Sequence, residues 1–345
     1  MNKDINEKKL IKFSYIEGLE NLVMDNISNL GVFCNAYESN GYVYVDYHKD
    51  LAAIRDLSMV SRAYLVLQDS LYNPRYISRH KSILGTIIQE VFISNTDKFK
   101  TFSISAAGAD SPEVQAIVAY TKEEFNIEES QEPDLKIHFA KYKDTWEIGV
   151  QMTIRPLSLR SHKTHHIPGA MDPTIASALN QLCGVNQYRT YMNPFSGSGT
   201  LLIEAALRYQ NLDMLIGFDN NKKTLSLSVQ NIKSAKLISR VKVTYGDIFD
   251  PPSFGGFDVI VADLPFGMQI SKGEELDVLY EKFLDYCDQK LNEGGTVGVY
   301  TPKIEIIERL IQSSCFLIEF RLPLKMVTSV NSYLLPVLYT LKRKQ

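Results

Sequence analysis

From about residue 170 the chain alternates short apolar strands with amphipathic helices, and few architectures accept that order. "TYMNPF" leads into "TLLIEAALRY", "MLIGFD" into "NKKTLSLSVQNIKSA", "VKVTYGD" into a loop, "FDVIVADLPF" into "ELDVLYEKFLDYCDQKL", and "GGTVGVYTP" into "KIEIIERLIQSS". Strands separated by helices pair in parallel and are covered on both faces, so residues 165–345 are expected to form a doubly wound α/β sheet. Val259–Ala262 read as one of its strands, because four apolar residues without polar alternation mark a strand buried on both sides. Pro265 has no N–H for the ladder and ends it. The last stretch, "CFLIEFRLPLKMVTSVNSYLLPVLYTLK", reads as two strands and a turn, an antiparallel edge pair.

The first 160 residues follow a different order. "IKFSYIEGLENLVMDNISNLG" is a short strand followed by a helix with apolar residues at Leu19, Leu22, Val23 and Ile27 and a stop at Gly31. "GYVYVDYH" then alternates as a half-buried strand, which makes residues 1–70 a small α+β unit. A second unit over 71–160 contains the helix "SPEVQAIVAYTKEEF", with Ser111 as N-cap and Pro112 at N1, and the strands "LKIHFAKY" and "TWEIGVQMTI". The acidic stretch Glu123–Asp134 between them reads as solvated surface.

A chain of 345 residues exceeds one ordinary core, which agrees with this division. It has no run of about 18 apolar residues and no charged-then-apolar start, so neither a membrane span nor a secretory signal is expected, and the cytoplasm is the default compartment. Cys34, Cys183, Cys287 and Cys315 fit no metal or redox spacing, so no metal is expected. The net charge of −3 argues mildly against nucleic acid, but it is unevenly spread. Residues 1–150 carry 16 basic and 22 acidic side chains, and residues 151–345 carry 21 and 18. Arg155, Arg160 and Lys163 lie in a stretch with three histidines and no acid, a candidate contact for an anionic polymer.

Ligands of open parallel sheets bind beyond the carboxyl ends of the strands. At the first such end, "NPFSGSGT", Asn193 to Thr200, has small residues that let a ligand approach the backbone and a helix N-terminus that offers free N–H groups. It lacks the G-K-[ST] of a phosphate loop and the complete dinucleotide fingerprint. Asp219 ends the next strand, where an acid can take both hydroxyls of a ribose. Asp247 ends the third and can accept from the exocyclic amine of an adenine. Asp263-Leu264-Pro265-Phe266 ends the fourth. Singly, each of these is an ordinary cap, turn or surface charge; their order at four strand ends is what carries information.

That ordered set resembles the class I S-adenosylmethionine-dependent methyltransferases, and "DLPF" looks like the amino-methylating form of their D/N-P-P-F/Y motif. "GAMDPTIASAL", "NPFSGSGTLLIEAA" and "DLPFG" together are similar to the THUMP-domain RNA guanosine-N2 methyltransferases, specifically so over about residues 165–302. The resemblance implies a Rossmann-like methyltransferase domain over 165–345, preceded by a ferredoxin-like domain (1–70) and a THUMP-like RNA-binding domain (71–160). It implies S-adenosylmethionine as cofactor, held by Asn193, Phe195, Ser196, Gly197, Gly199, Thr200, Asp219, Asn220, Asp247 and Ile248. It implies methylation of the N2 amine of a guanosine in structured RNA, foremost a tRNA modified in its acceptor stem, by a monomer with Arg155, Arg160 and Lys163 on the RNA. In that chemistry the Asp263 carboxylate and the Leu264 carbonyl accept from the amine, Pro265 fixes the turn and Phe266 stacks on the base. Three positions depart from the family: Asn193 stands where it usually has Asp, Ser196 where it has Cys, and Leu264 where the motif often has Pro, a change its use through the backbone carbonyl tolerates. Methylation of 23S rRNA guanosine, methylation of adenine N6, and an RNA-binding protein without catalysis are the alternatives, and a dinucleotide oxidoreductase is disfavoured.

Overall fold

The computed structural model describes residues 7–69, 77–95, 98–143, 145–163, 169–266, 273–329 and 332–344. They divide into two compact units, residues 1–15 with 20–158, and residues 16–19 with 159–345.

In the first unit the elements run β1 (Glu7–Ser14), α1 (Glu20–Leu30), β2 (Tyr37–Ser39), β3 (Tyr42–Asp46), α2 (Leu51–Asp56), β4 (Arg62–Asp69), α3 (Ile77–Ser94), β5 (Thr101–Ala106), α4 (Pro112–Phe125), β6 (Glu128–Glu129), β7 (Leu135–Tyr142) and β8 (Thr145–Gln151). The strands form one sheet in the order β2-β3-β1-β4-β8-β7-β5-β6. A boundary expected near residue 70 lies at residues outside the described set, and the sheet runs through both parts, since β4 pairs with β1 on one side and β8 on the other. Alternation decides the faces. Ile11, Phe13, Val43, Val45, Leu65, Ile137, Ile148 and Val150 are buried, and α3 packs on β4 and β8. The caps expected for α4 are present, with Ser111 Oγ accepting from Val114 N and Pro112 in the first turn.

The second unit contains α5 (Pro173–Leu182), β9 (Thr190–Pro194), α6 (Thr200–Arg208), β10 (Met214–Asp219), α7 (Lys222–Ser234), β11 (Val241–Tyr245), β12 (Phe257–Asp263), α8 (Gly273–Lys290), β13 (Leu291–Thr301), α9 (Ile304–Ser313), β14 (Phe316–Pro323), β15 (Met326–Ser329), β16 (Ser332–Leu334) and β17 (Val337–Arg343). Seven of these strands form a sheet in the order β11-β10-β9-β12-β13-β17-β14. β9 to β13 are parallel, as expected. The C-terminal stretch differs from its reading: it holds four strands, not two. β17 inserts between β13 and β14, antiparallel to both, and β15 and β16 form a separate ribbon. The polar "KMVTSVNS" breaks the apolar run, so its residues leave the sheet instead of extending it.

Val259, Ile260, Val261 and Ala262 are completely buried. β12 lies between β9 and β13 at the centre of the sheet, where the strand order reverses direction. Burying four such residues contributes several kcal/mol, and it also fixes where the chain leaves the sheet, at Asp263.

Candidate active site

Chain segments beyond the ends of β9, β10 and β12, with the residues leading into α5, line a cavity of about 260 Å³. After β9 the backbone turns sharply through three residues at positive φ: Phe195 (+61°), Gly197 (+52°) and Gly199 (+81°). The two glycines adopt this conformation freely. Phe195 does so at a cost of about 1–3 kcal/mol, and its ring is held against Phe283, with centroids 6.1 Å apart. A side chain at Gly199 would meet Ser228 Oγ at 2.6 Å. β10 ties the loop down: Ser196 N donates to the Phe218 carbonyl (2.9 Å), and Gly197 N donates to Asp219 Oδ2 (2.8 Å). Asp219 Oδ1 accepts from Asn221 N (2.9 Å). Asp219 therefore fastens two loops together at the cavity rim. Asn220 Nδ2 in turn donates to Asp247 Oδ2 (2.9 Å).

Of the expected cofactor residues, Asn193, Phe195, Ser196, Gly197, Thr200, Asp219 and Asn220 line this cavity. Gly199 shapes the turn, and Asp247 is joined to the rim only through Asn220. Ile248 does not line the cavity; its side chain is in the hydrophobic core with Phe218 and Phe257. The amide of Asn193 donates to the carbonyls of Val261 (2.7 Å) and Pro194 (3.1 Å), donations that an aspartate could not make. Its Oδ1 remains buried without a partner, as do Ser196 Oγ and Asp263 Oδ1. Such an atom costs about 1–3 kcal/mol unless a ligand satisfies it.

Asp263 and Pro265 also line the cavity. Leu264 N donates to the Tyr300 carbonyl (3.0 Å), its side chain is in the core, and so the turn is anchored from inside. Tyr280 Oη donates to the Pro265 carbonyl (3.0 Å) and lies 2.8 Å from Thr301 Oγ1. Phe266 stands edge-on to Tyr300, at 6.3 Å and 76°. Gly267, the last residue of "DLPFG", lies outside the described residues. Burial pushes the Asp263 carboxyl up to about 7, against the opposing charge of Lys163.

Residues 160–322 match the family described as RMKL-like, methyltransferase domain. A tRNA (guanine(6)-N2)-methyltransferase of Thermus thermophilus is 31% identical over 165 residues, covering 48% of this chain and 49% of that protein. A tRNA (guanine(10)-N2)-dimethyltransferase of Methanothermobacter thermautotrophicus is 31% identical over 174 residues, 50% of each. A ribosomal RNA large subunit methyltransferase K/L of Vibrio parahaemolyticus is 24% identical over 196 residues, 44% of this chain and 28% of that protein. The chain thus spans half or less of the length of these relatives. The crystal structure of TrmN from Thermus thermophilus shares the fold over nearly the whole chain, with a TM-score of 0.78 at 20% identity, covering 97% of this chain and 100% of that one.

Two residues of the basic stretch, Arg160 and Lys163, have partners inside the second unit. The Arg160 guanidinium lies on Glu204, with Nε–Oε1 at 2.9 Å and Nη2–Oε2 at 3.2 Å; the Arg side chain is 11% exposed and the Glu 1%. Lys163 Nζ donates to the Met171 carbonyl (3.0 Å) and is largely buried, which lowers its pKa. Both side chains are thus held inside the unit, Arg160 on Glu204, a buried charge that also accepts from Ser177 Oγ (2.7 Å) and needs pairing. Arg155 belongs to the other unit and is exposed. Sequence reasoning missed Tyr280, Thr301 and Tyr300. Tyr280 occupies an apolar-face position of α8 and reads as core; only the folded sheet brings its hydroxyl to Pro265.

Proposed function

We propose that this chain methylates the N2 amine of a guanosine in structured RNA, foremost tRNA, using S-adenosylmethionine. The observation that carries the reading is Asp263: a carboxylate with one sealed, partnerless oxygen, on a turn pinned by Tyr280 and Tyr300, at the edge of a nucleoside-sized cavity. The cofactor fits the residues present. Asp219 and Asn220 would hold its ribose, the Ser196–Gly199 loop its amino-acid end, and the partnerless Asn193 Oδ1 and Ser196 Oγ offer acceptors inside the cradle. When bound, it supplies a methyl group on a sulfonium.

The N2 amine is a poor nucleophile, since its lone pair is delocalised into the ring. Asp263 and the Leu264 carbonyl accept its two N–H groups, draw the nitrogen toward tetrahedral geometry and aim the lone pair; Phe266 stacks on the base, worth roughly 1–3 kcal/mol. Asp263 then takes the proton that leaves the nitrogen. The base must leave any duplex to arrive there. Residues 1–70 and 71–160 act as ferredoxin-like and THUMP-like parts that hold the RNA, with Arg155 on it, and the enzyme works as a cytoplasmic monomer. The names of the relatives and the absence, among the described residues, of a helix able to cross a membrane support this reading.

Mass spectrometry of RNA digested after incubation with the full chain and isotopically labelled cofactor tests it. Labelled N2-methylguanosine is expected; label confined to N6-methyladenosine, or no label, would overturn the reading.

A further inference from the structure

Behind the catalytic turn, α8 places a phenol in an otherwise apolar core. Tyr280 shares that core with Leu276, Leu279, Phe283 and Leu284, and both it and Thr301, at the end of β13, are fully buried. Tyr280 Oη donates to the Pro265 carbonyl (3.0 Å) and lies 2.8 Å from Thr301 Oγ1, which accepts from Lys303 N (3.0 Å) just ahead of α9. The atoms themselves settle the direction of each bond. A backbone N–H only donates and a carbonyl only accepts. The single phenolic proton of Tyr280 is committed to Pro265, so Thr301 gives its own proton to Tyr280 and takes that of Lys303. Donations thus run one way, from Lys303 through Thr301 and Tyr280 to Pro265, and bonds in such a chain strengthen one another. Burial pushes the Tyr280 phenol up to about 12, so its proton stays in place through neutral pH.

The relay controls a torsion. The pyrrolidine ring of Pro265 fixes φ, which leaves ψ to aim both its carbonyl and the Phe266 that follows. The bond from Tyr280 sets that ψ. It also separates two neighbouring acceptors: the Pro265 carbonyl is drawn into the core, whereas no donor among the described residues meets the carbonyl of Leu264, whose N–H is held by the Tyr300 carbonyl (3.0 Å). One acceptor at the end of β12 is occupied and the other is left for an amine.

We propose that Tyr280 and Thr301 are positioning residues of the transfer step: their relay occupies the Pro265 carbonyl, and so fixes the Leu264 carbonyl as the backbone acceptor of the amine and the Phe266 ring beside it. The proposal rests on the methylation reading, but one arm of its test needs no turnover. The control is Tyr286→Phe, since the Tyr286 hydroxyl, on the same helix, is buried without a partner. With labelled cofactor and tRNA, Tyr280→Phe should cut kcat about tenfold, the effect of one hydrogen bond lost in the transition state, and leave KM for RNA and cofactor affinity within about twofold. Thr301→Val should cut kcat about threefold, because it acts only by weakening the Tyr280 bond. The double variant should be no slower than Tyr280→Phe, while Thr301→Ser and Tyr286→Phe should keep the parent rate. Hydrogen exchange read by mass spectrometry, without substrate, should be at least about fivefold faster over residues 259–266 in Tyr280→Phe and unchanged in Tyr286→Phe. A parent kcat in Tyr280→Phe, or an equal loss in Tyr286→Phe, would overturn the relay. Label on an adenine amine would remove the guanosine reading, and kcat on that amine would then judge the relay in the same way. With no RNA labelled, exchange at the parent rate in Tyr280→Phe would overturn the relay, and the stated acceleration would uphold it.

Discussion

Asp263 shows how much chemistry one buried strand end can impose. Four fully buried residues carry it out of the sheet, and one of its oxygens is buried without a protein donor. Its carboxyl, pushed up to about 7, must be ionised to take the proton that leaves the amine. The rate is therefore expected to rise with pH through a midpoint near 7 and level off above it, measured as kcat from pH 5.5 to 9 with RNA in excess; Asp263→Asn should flatten the rise. Stability runs the other way. A carboxyl with a folded pKa above its unfolded value of about 3.9 favours folding fully only below that value, and the contribution is lost as pH climbs to about 7. The opposing charge at Asp263 comes from Lys163, while Tyr280 and Tyr300 feel the acid in return. Lys163→Met should move the midpoint upward by on the order of one unit, and an unmoved midpoint would separate the two residues. Asp263→Ala should cut turnover by on the order of a hundredfold and leave cofactor affinity within about threefold. Asp219→Ala should weaken cofactor binding by about 1.5–3 kcal/mol in calorimetry, the loss expected for hydrogen bonds to a charged acceptor.

Among the elements, α6 ties the cofactor loop to the rest of its unit. Its first turn follows the Gly-rich loop, and its buried Glu204 joins Arg160, Ser177 on α5 and Arg208 in its own last turn. Removing one partner of a buried pair strands the other. Arg160→Ala should thus destabilise the protein by about 3 kcal/mol in denaturant titrations, the low end of such losses because Arg208 still lies 3.8 Å from the carboxylate. The salt slope of RNA binding should stay at the parent value. A lowered slope with unchanged stability would return Arg160 to the RNA.

For the whole molecule, the same ion pair decides where the chain can be cut. A fragment starting at Leu159 keeps Arg160 and Lys163, and one starting at residue 165 loses both. The longer fragment should bind S-adenosylmethionine in calorimetry, while the shorter should melt earlier. Neither should methylate intact tRNA, if residues 1–158 select the substrate. Full activity of either on whole tRNA would end that assignment.

The strand–helix alternation, the Gly-rich turn and the acids at successive strand ends were legible in the sequence, because each depends on local periodicity or on residue types that few backbone conformations accept. Where side chains from distant segments meet, the sequence was silent or misleading. Arg160 and Lys163 looked like phosphate contacts because no acid lies near them along the chain; folding brings Glu204 to one and the Met171 carbonyl to the other. Tyr280 reads as helix core until α8 lies against the end of β12 and β13. The four C-terminal strands follow from a register that only pairing with β13 sets. Secondary structure and strand-end chemistry are short-range properties of the residues, whereas the partner of a buried charge depends on which distant segment the core brings beside it.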